Sequence, residues 1–357
     1  MKIDRKLEEY IHSLGDMMEN NITSAEFFNE HFFNWMPTTD VSYFESFVGE
    51  ELIKELLLDL DGLSEDDIEE EFLNTYLIPA VKEVKKEDFE NNLYVKTIKI
   101  PNAKKGKYVL GNLNYHPYEL FPLDDVKVDE KSFMELSQIG YFKESFSYPY
   151  LGTSDSVWMS LNPNEIMTMD KHIKKAKGNV LVLGLGMGYF AFMVANKKEV
   201  NNVIVVEKDQ NIIDLFMEHI YPSFLNKDKI RIVKEDAFKY LDNKENNKKF
   251  DMVFIDLWHS VEDGINIFLR LKEVEGRINK PFMYWIDTSL YAMVRRSIVT
   301  ILIEHLENEH PRYDIARDEI DKAINNIYKK IKDLDIDSEE QIHELLSDKS
   351  IDELLKK

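Results

Sequence analysis

Asn179-Val-Leu-Val-Leu-Gly-Leu-Gly-Met-Gly188 carries the strongest local pattern in the chain. Asn179 to Leu183 is rich in Val and Leu, as in a strand buried on both faces, and runs into three alternating glycines and a helical stretch from Tyr189. The unit reads strand, tight turn, helix. Gly184 allows the sharp turn, Gly186 lets backbone approach a ligand with no Cβ in the way, and Gly188 lets helix pack closely on strand.

The segments that follow strengthen this reading. A second apolar strand, Val203 to Val206, ends in Glu207, about twenty residues past the turn, where a carboxylate can accept both hydroxyls of a ribose. A third, Ile230 to Val233, precedes Glu235-Asp236-Ala237-Phe238. A fourth, Asp251 to Ile255, precedes Asp256-Leu257-Trp258-His259. Polar groups thus recur at the carboxyl ends of successive candidate parallel strands, where ligands sit in an open α/β sheet. The expected ligand contains a nucleoside. Tyr189 stands where a nicotinamide fingerprint wants a small residue, and no Gly-Lys-Ser/Thr follows the turn, so neither a dinucleotide nor a P-loop nucleotide fits.

Leu183 to Gly188, Glu207, Asp236-Ala237 and Asp256 resemble the successive motifs of class I S-adenosylmethionine (SAM) dependent methyltransferases. Val205-Val-Glu-Lys-Asp209, Glu235-Asp-Ala-Phe238 and Phe250-Asp-Met-Val-Phe-Ile-Asp256 are most similar to the spermidine synthase branch of that superfamily. The resemblance covers roughly residues 160 to 290. It implies SAM or decarboxylated SAM as cofactor, with Gly184, Leu185, Gly186 and Gly188 at the methionyl end and Glu207, beside Lys208, on the ribose. Asp236 and the Ala237 N–H would read the adenine edge. Many methyltransferases carry an acid just before the first glycine; this chain has Leu183.

Transfer from a sulfonium is a one-step displacement, so a protein must align the reactants, exclude water and deprotonate the nucleophile. Spermidine synthases carry Asp-x-x-Asp here, one acid for deprotonation and one for the substrate's cationic end. This chain has Asp256-Leu-Trp-His259, and Met167-Thr168-Met169 lies near where those enzymes carry a Tyr-His pair. The departures favour a methyltransferase for a small-molecule acceptor, with Asp256 or His259 as general base and Trp258 and Asp287 facing the acceptor. The alternatives are aminopropyl transfer from decarboxylated SAM and a non-catalytic nucleoside-binding protein. A further reading places Mg²⁺ between Asp256 and Asp287, as in cation-dependent O-methyltransferases, but Thr288 stands where those place an amide ligand; the expected site holds no metal.

Charge narrows the partners. Lys+Arg 45 against Asp+Glu 67 gives a formal net charge of -22, a field that repels phosphate backbones and disfavours nucleic acid, while a cationic acceptor is favoured. There is no run of eighteen apolar residues and no signal-like N-terminus, so neither a membrane span nor export is expected, and the location expected is cytoplasmic. With no cysteine there is no disulfide, thiolate metal site or Cys nucleophile.

The expected fold class is α/β: a Rossmann-like doubly wound, mainly parallel sheet with an N-terminal α+β region and a helical C-terminal extension. Residues 1–92 read as a helical region with helices over 5–19, 25–33, from Asp40 or Ser42 to Leu60, and from Ser64 across a kink at Pro79. Residues 93–161 read as a small antiparallel β region, with a hairpin of Tyr94 to Ile100 and Lys107 to Leu113 and further strands at Phe142 to Tyr148 and Val157 to Leu161. Residues 162–310 form the SAM-binding domain, entered through an Asn162-Pro163-Asn164-Glu165 helix start, with Trp158 to Asn164 as a lid. After a fifth strand, Pro281 to Ile286, helices replace the hairpin usual in the superfamily. His310-Pro311 breaks them, and 311–357 reads as a docked appendage or homodimer contact.

Overall fold

The computed structural model describes residues 1–34, 40–59, 63–64, 67–307 and 319–356. Strand β1 (Lys2–Ile3) leads into α1 (Glu8–Asn34), one continuous helix where two were expected. Leu7, Ile11, Leu14 and Met18 repeat at helical spacing and are buried. Short helices α2 (Val41–Phe44), capped by Asp40, α3 (Gly49–Asp59) and α4 (Glu70–Phe72) follow, the last widening into a π turn at Leu73–Leu77. The end expected for this segment, Leu60, lies outside the described residues. Helix does not cross Pro79: a single 3-10 turn, Ile78–Ala80, ends it, and β2 (Val81–Glu83) pairs in parallel with a later strand. Proline supplies no N–H to continue the ladder, and Val81 instead enters a core with Leu77 and Ile139.

After α5 (Lys86–Glu90), the segment expected as a strand from Tyr94 is helix α6 (Leu93–Thr97). Two local bonds explain the difference. The Asn92 carboxamide accepts the Tyr94 N–H at 2.9 Å as a cap, and the Tyr94 hydroxyl, fully buried, donates to the Met187 carbonyl at 2.6 Å. The hairpin starts later, with β3 (Ala103–Lys105) turning at Gly106 into β4 (Tyr108–Tyr115). Two further strands, β5 (Phe121–Val128) and β6 (Glu135–Tyr141), had not been expected, and β7 (Phe146–Gly152) and β8 (Val157–Ser160) complete the region. They form two sheets, ordered β2-β6-β5 and β3-β4-β7-β8.

The nucleoside-type domain opens with α7 (Pro163–Lys175), started by Asn162 as expected: its side chain accepts the Glu165 N–H at 3.0 Å. Then come β9 (Gly178–Leu183), α8 (Tyr189–Ala195), β10 (Val200–Glu207), α9 (Gln210–Leu215), β11 (Ile230–Lys234), α10 (Ala237–Asp242), β12 (Met252–Ile255), α11 (Val261–Ile278) and β13 (Phe282–Tyr284). All five strands pair in parallel, in the order β11-β10-β9-β12-β13. The chain reverses direction across the sheet between β9 and β12, and a crevice opens at their carboxyl ends. Val180 to Leu183 and Val253 to Ile255 are buried, the continuous apolar run a sheet covered on both faces requires.

The sheet ends at β13 among the described residues, and helices α12 (Asp287–Leu306) and α13 (Glu319–Ile331) follow, the break expected at His310-Pro311 lying outside those residues. Strand β14 (Asp335–Ile336), α14 (Glu339–Leu345) and α15 (Asp348–Lys356) complete the chain. Strand β14 pairs with β1, and Lys272 of α11, almost fully buried, binds Glu275 at 3.0 Å and Asp352 of α15 at 2.6 Å. One continuous apolar core runs from Leu7 to Leu355. No helix is long and apolar enough to cross a membrane among the described residues.

The start of α12 is fixed from a distance. Ile286 has φ 49°, a strained conformation for a β-branched residue, and offers no cap. Asp125 of β5 supplies it, accepting the N–H groups of Thr288 at 2.9 Å and Ser289 at 3.2 Å. Asp125→Ala is expected to lower stability by about 1–2 kcal/mol, read as an earlier urea midpoint; an unchanged midpoint would show that α12 needs no cap from β5.

Candidate functional site

The crevice is a cavity of about 390 Å³, within the range of small-molecule sites. The glycine turn forms one wall. Gly184 has φ +99°, and a Cβ there would lie 2.0 Å from the Asp256 carbonyl oxygen, so only glycine lets β9 and β12 end side by side. Gly186 leaves a hollow that the Met159 thioether of β8 fills, its sulfur accepting the Met187 N–H at 3.1 Å. Gly184, Leu185 and Gly186 face the cavity, and Gly188 does not: its missing Cβ makes room for the Phe216 and Phe224 rings.

Glu207 at the end of β10 is buried and carries no salt link among the described residues; Oε2 accepts the Leu185 N–H at 3.2 Å and Oε1 the Asp209 N–H at 2.8 Å. Both bonds hold the carboxylate against the cavity beside Lys208. Asp209, also in the wall, accepts the Tyr108 hydroxyl at 2.8 Å. Burial and that carboxylate push Tyr108 up to about 12, so it remains a neutral donor. Asp236 caps α10 through the Lys239 N–H at 3.1 Å, and it lines the same cavity with Glu235, Ala237 and Phe238.

Asp256, Leu257, Trp258 and His259 line the same cavity. Burial, and then the negative charge of Glu207, push the Asp256 carboxyl up to about 7, a range suited to proton transfer near neutrality. Trp258 packs against Gly264 and Tyr284, and its buried indole N–H has no partner among the described residues. His259 lies at the exposed mouth, its Nδ1 3.1 Å from Asp263 and its ring edge-on to Trp158 with centroids 5.2 Å apart.

Asp287, expected on the acceptor side, is not in the cavity wall. Its carboxylate forms an ion pair with Lys171, which also lies 3.6 Å from Asp125, so it is not turned towards Asp256 to share a metal. No group of three or more His, Cys, Asp or Glu side chains with metal-site geometry occurs among the described residues.

Several wall residues were not legible in the sequence. Glu165 was read only as a helix-start residue, yet it is 9% exposed, lines the cavity, and leaves Oε2 buried with no hydrogen-bond partner among the described residues. Burial and the nearby Asp256 carboxylate hold its carboxyl well above the usual range. The missed signal was chemical: a capping box returns the Glu side chain to the cap N–H, and no such bond forms here. Trp285 enters the wall because its indole N–H donates to Thr168 at 2.8 Å, within the Met167-Thr168-Met169 segment. Tyr108 and Met159 reach the cavity from the small β sheet, the latter from within the stretch expected as a lid.

Comparison with known proteins agrees with the motif resemblance. Residues 161–271 match the family model of the spermine/spermidine synthase domain. A polyamine aminopropyltransferase of Sulfurisphaera tokodaii is 28% identical over 134 residues, 36% of this chain and 44% of the relative. One of Clostridium botulinum is 26% identical over 165 residues, 43% of this chain and 57% of the relative. The chain therefore spans about half the length of the curated relatives it matches. The crystal structure of spermidine synthase from Thermotoga maritima overlaps 42% of this chain and 54% of its own, at 16% identity and a TM-score of 0.28. Residues 161–271 thus resemble a spermine/spermidine synthase domain, and the long N-terminal and C-terminal helices lie outside the matched segment.

Proposed function

We propose that the cavity binds decarboxylated SAM and transfers its aminopropyl group to a small amine, with Asp256 as general base. One observation carries the choice of donor: Glu165, Glu207, Asp209, Glu235, Asp236 and Asp256 face the cavity, against Lys208 and the mouth residue His259. The carboxylate of SAM would enter a wall dominated by carboxylates, whereas decarboxylated SAM brings only positive charge to it. The aminopropyltransferase names of the relatives support the same reading. Methyl transfer, which the His259 substitution favoured in the sequence, keeps that residue as its support, and the donor titration described below separates the two.

The residues present suit the nucleoside. Glu207 would take the ribose hydroxyls, Asp236 and the Ala237 N–H the adenine edge, and the backbone of Gly184 to Gly186 the sulfonium side once the flexible Met159 side chain moves off it. The donor supplies a carbon activated by its sulfonium; the amine nitrogen bonds to that carbon, the C–S pair leaves with sulfur, and a proton of the amine passes to Asp256. Leu257, Trp258 and Trp285 contribute apolar surface to the same cavity wall and would limit water there.

Transfer of a labelled aminopropyl group to 1,4-diaminobutane or a longer amine, followed by mass spectrometry, tests the reaction; methyl transfer alone would overturn it. Glu207→Ala is expected to weaken donor binding roughly ten- to hundredfold, as for the loss of hydrogen bonds to a charged group. Calorimetry checks this, and unchanged affinity would remove Glu207 from the ribose site.

A further inference from the structure

We propose, building on the amine-acceptor reading above, that Glu165 is the second carboxyl of the reaction centre: Glu165 and Asp256 together seat the acceptor's ammonium, sharing one proton when empty and releasing it when the cation enters. The observation behind this is an unpartnered acid. Glu165 lines the cavity, and its Oε2 is buried with no hydrogen-bond partner among the described residues, an arrangement that is costly for a carboxylate unless a proton or a cation compensates it.

Among the described residues the surroundings offer no compensation. On α7 itself, the first turn contributes Asn162 and Asn164, and the charged residues Lys171 and His172 lie further along, next to Asp287. From β10 comes Glu207, which adds negative charge at Asp256. From α8 comes the Tyr189 hydroxyl, which senses Glu165 and accepts from Asn92 at 2.9 Å. From the loop after β12 comes His259, held by Asp263 at the mouth, and Lys208, next in sequence to Glu207, is the sole lysine in the cavity wall among the described residues. Two facing carboxyls without a cation retain a proton between them and titrate as a pair. An ammonium brings three N–H donors and a positive charge, so it satisfies the bare Oε2 and replaces that proton; no covalent bond changes in the exchange. Glu165 thereby takes over, from a different element, the cation-binding task of the acid that is absent at position 259.

The test is calorimetric titration of the full chain with 1,4-diaminobutane at pH 7.5 in phosphate and in Tris, whose different ionisation heats reveal protons exchanged. The wild type should release about one proton per amine bound. Glu165→Gln should abolish that release and weaken the amine at least tenfold, and Glu165→Asp should restore part of both. Equal affinity and proton release in wild type and Glu165→Gln, with both folded by thermal melting, would overturn the seat, as would a wild type that binds the diamine without releasing a proton. Parallel titration with decarboxylated SAM separates the two levels of the argument. A protein that binds the donor while Glu165→Gln leaves the amine unaffected retains the transferase reading and loses the seat; one that binds neither donor nor amine loses both.

Discussion

Asp256→Asn is expected to lower turnover by about two to four orders of magnitude, the range over which a positioned general base contributes, while decarboxylated SAM still binds. Asparagine has nearly the same shape and keeps β12 in place, because the Asp256 N–H still donates to the Leu183 carbonyl at 2.9 Å. What it loses is the ability to accept a proton. The pH profile gives an independent reading: a base pushed up to about 7 by burial and by Glu207 is inactive when protonated, so kcat/KM should rise through pH about 7 and level off above it. In Asp256→Asn that rising limb should vanish from what activity remains. A variant with wild-type turnover would exclude Asp256 as the base and leave His259, held by Asp263, as the candidate.

Gly184→Ala should be the most damaging alanine substitution among the described glycines. The backbone stands at φ +99° and the new Cβ would fall 2.0 Å from the Asp256 carbonyl oxygen, which is backbone and cannot rotate aside. Strain and overlap together are expected to cost about 3 kcal/mol or more. Since β9 and β12 would have to separate where the crevice begins, donor binding should be lost as well. Gly49→Ala is the control: φ is +62° there, but nothing lies within 4 Å of the added methyl, so only the backbone term of about 1 kcal/mol remains. Urea denaturation compares the two, and equal costs would mean that the approach of Gly184 to Asp256 is unimportant.

The parallel sheet was legible because its strands are short apolar runs with polar residues at their carboxyl ends, and burial on both faces leaves little choice of structure. Val203 to Glu207 pairs residue for residue with Ile230 to Lys234 as such runs require. The glycine turn was equally readable, since three positive φ values in five residues demand glycine. The small β region was read less well. Tyr94 to Ile100 has strand-like composition, but the Asn92 cap and the bond from Tyr94 to Met187, 93 positions away, favour helix, and neither is visible as periodicity.

In the cavity, Glu207, Asp236 and Asp256 end strands of one sheet, so their convergence follows from topology. Glu165, Tyr108 and Trp285 converge from α7, β4 and the loop after β13, and only packing brings them together. Asp287 shows the converse. It also follows a strand of that sheet, but Lys171, over a hundred positions earlier in sequence, draws its carboxylate out of the site.

Calorimetric titration of the wild type with decarboxylated SAM and with SAM probes most directly whether an acid-lined adenosyl site is present. Binding of the decarboxylated form at about 1–100 µM, tighter than SAM by roughly tenfold or more, is the predicted outcome. No heat from either compound at millimolar concentration, or a clear preference for SAM, would contradict it.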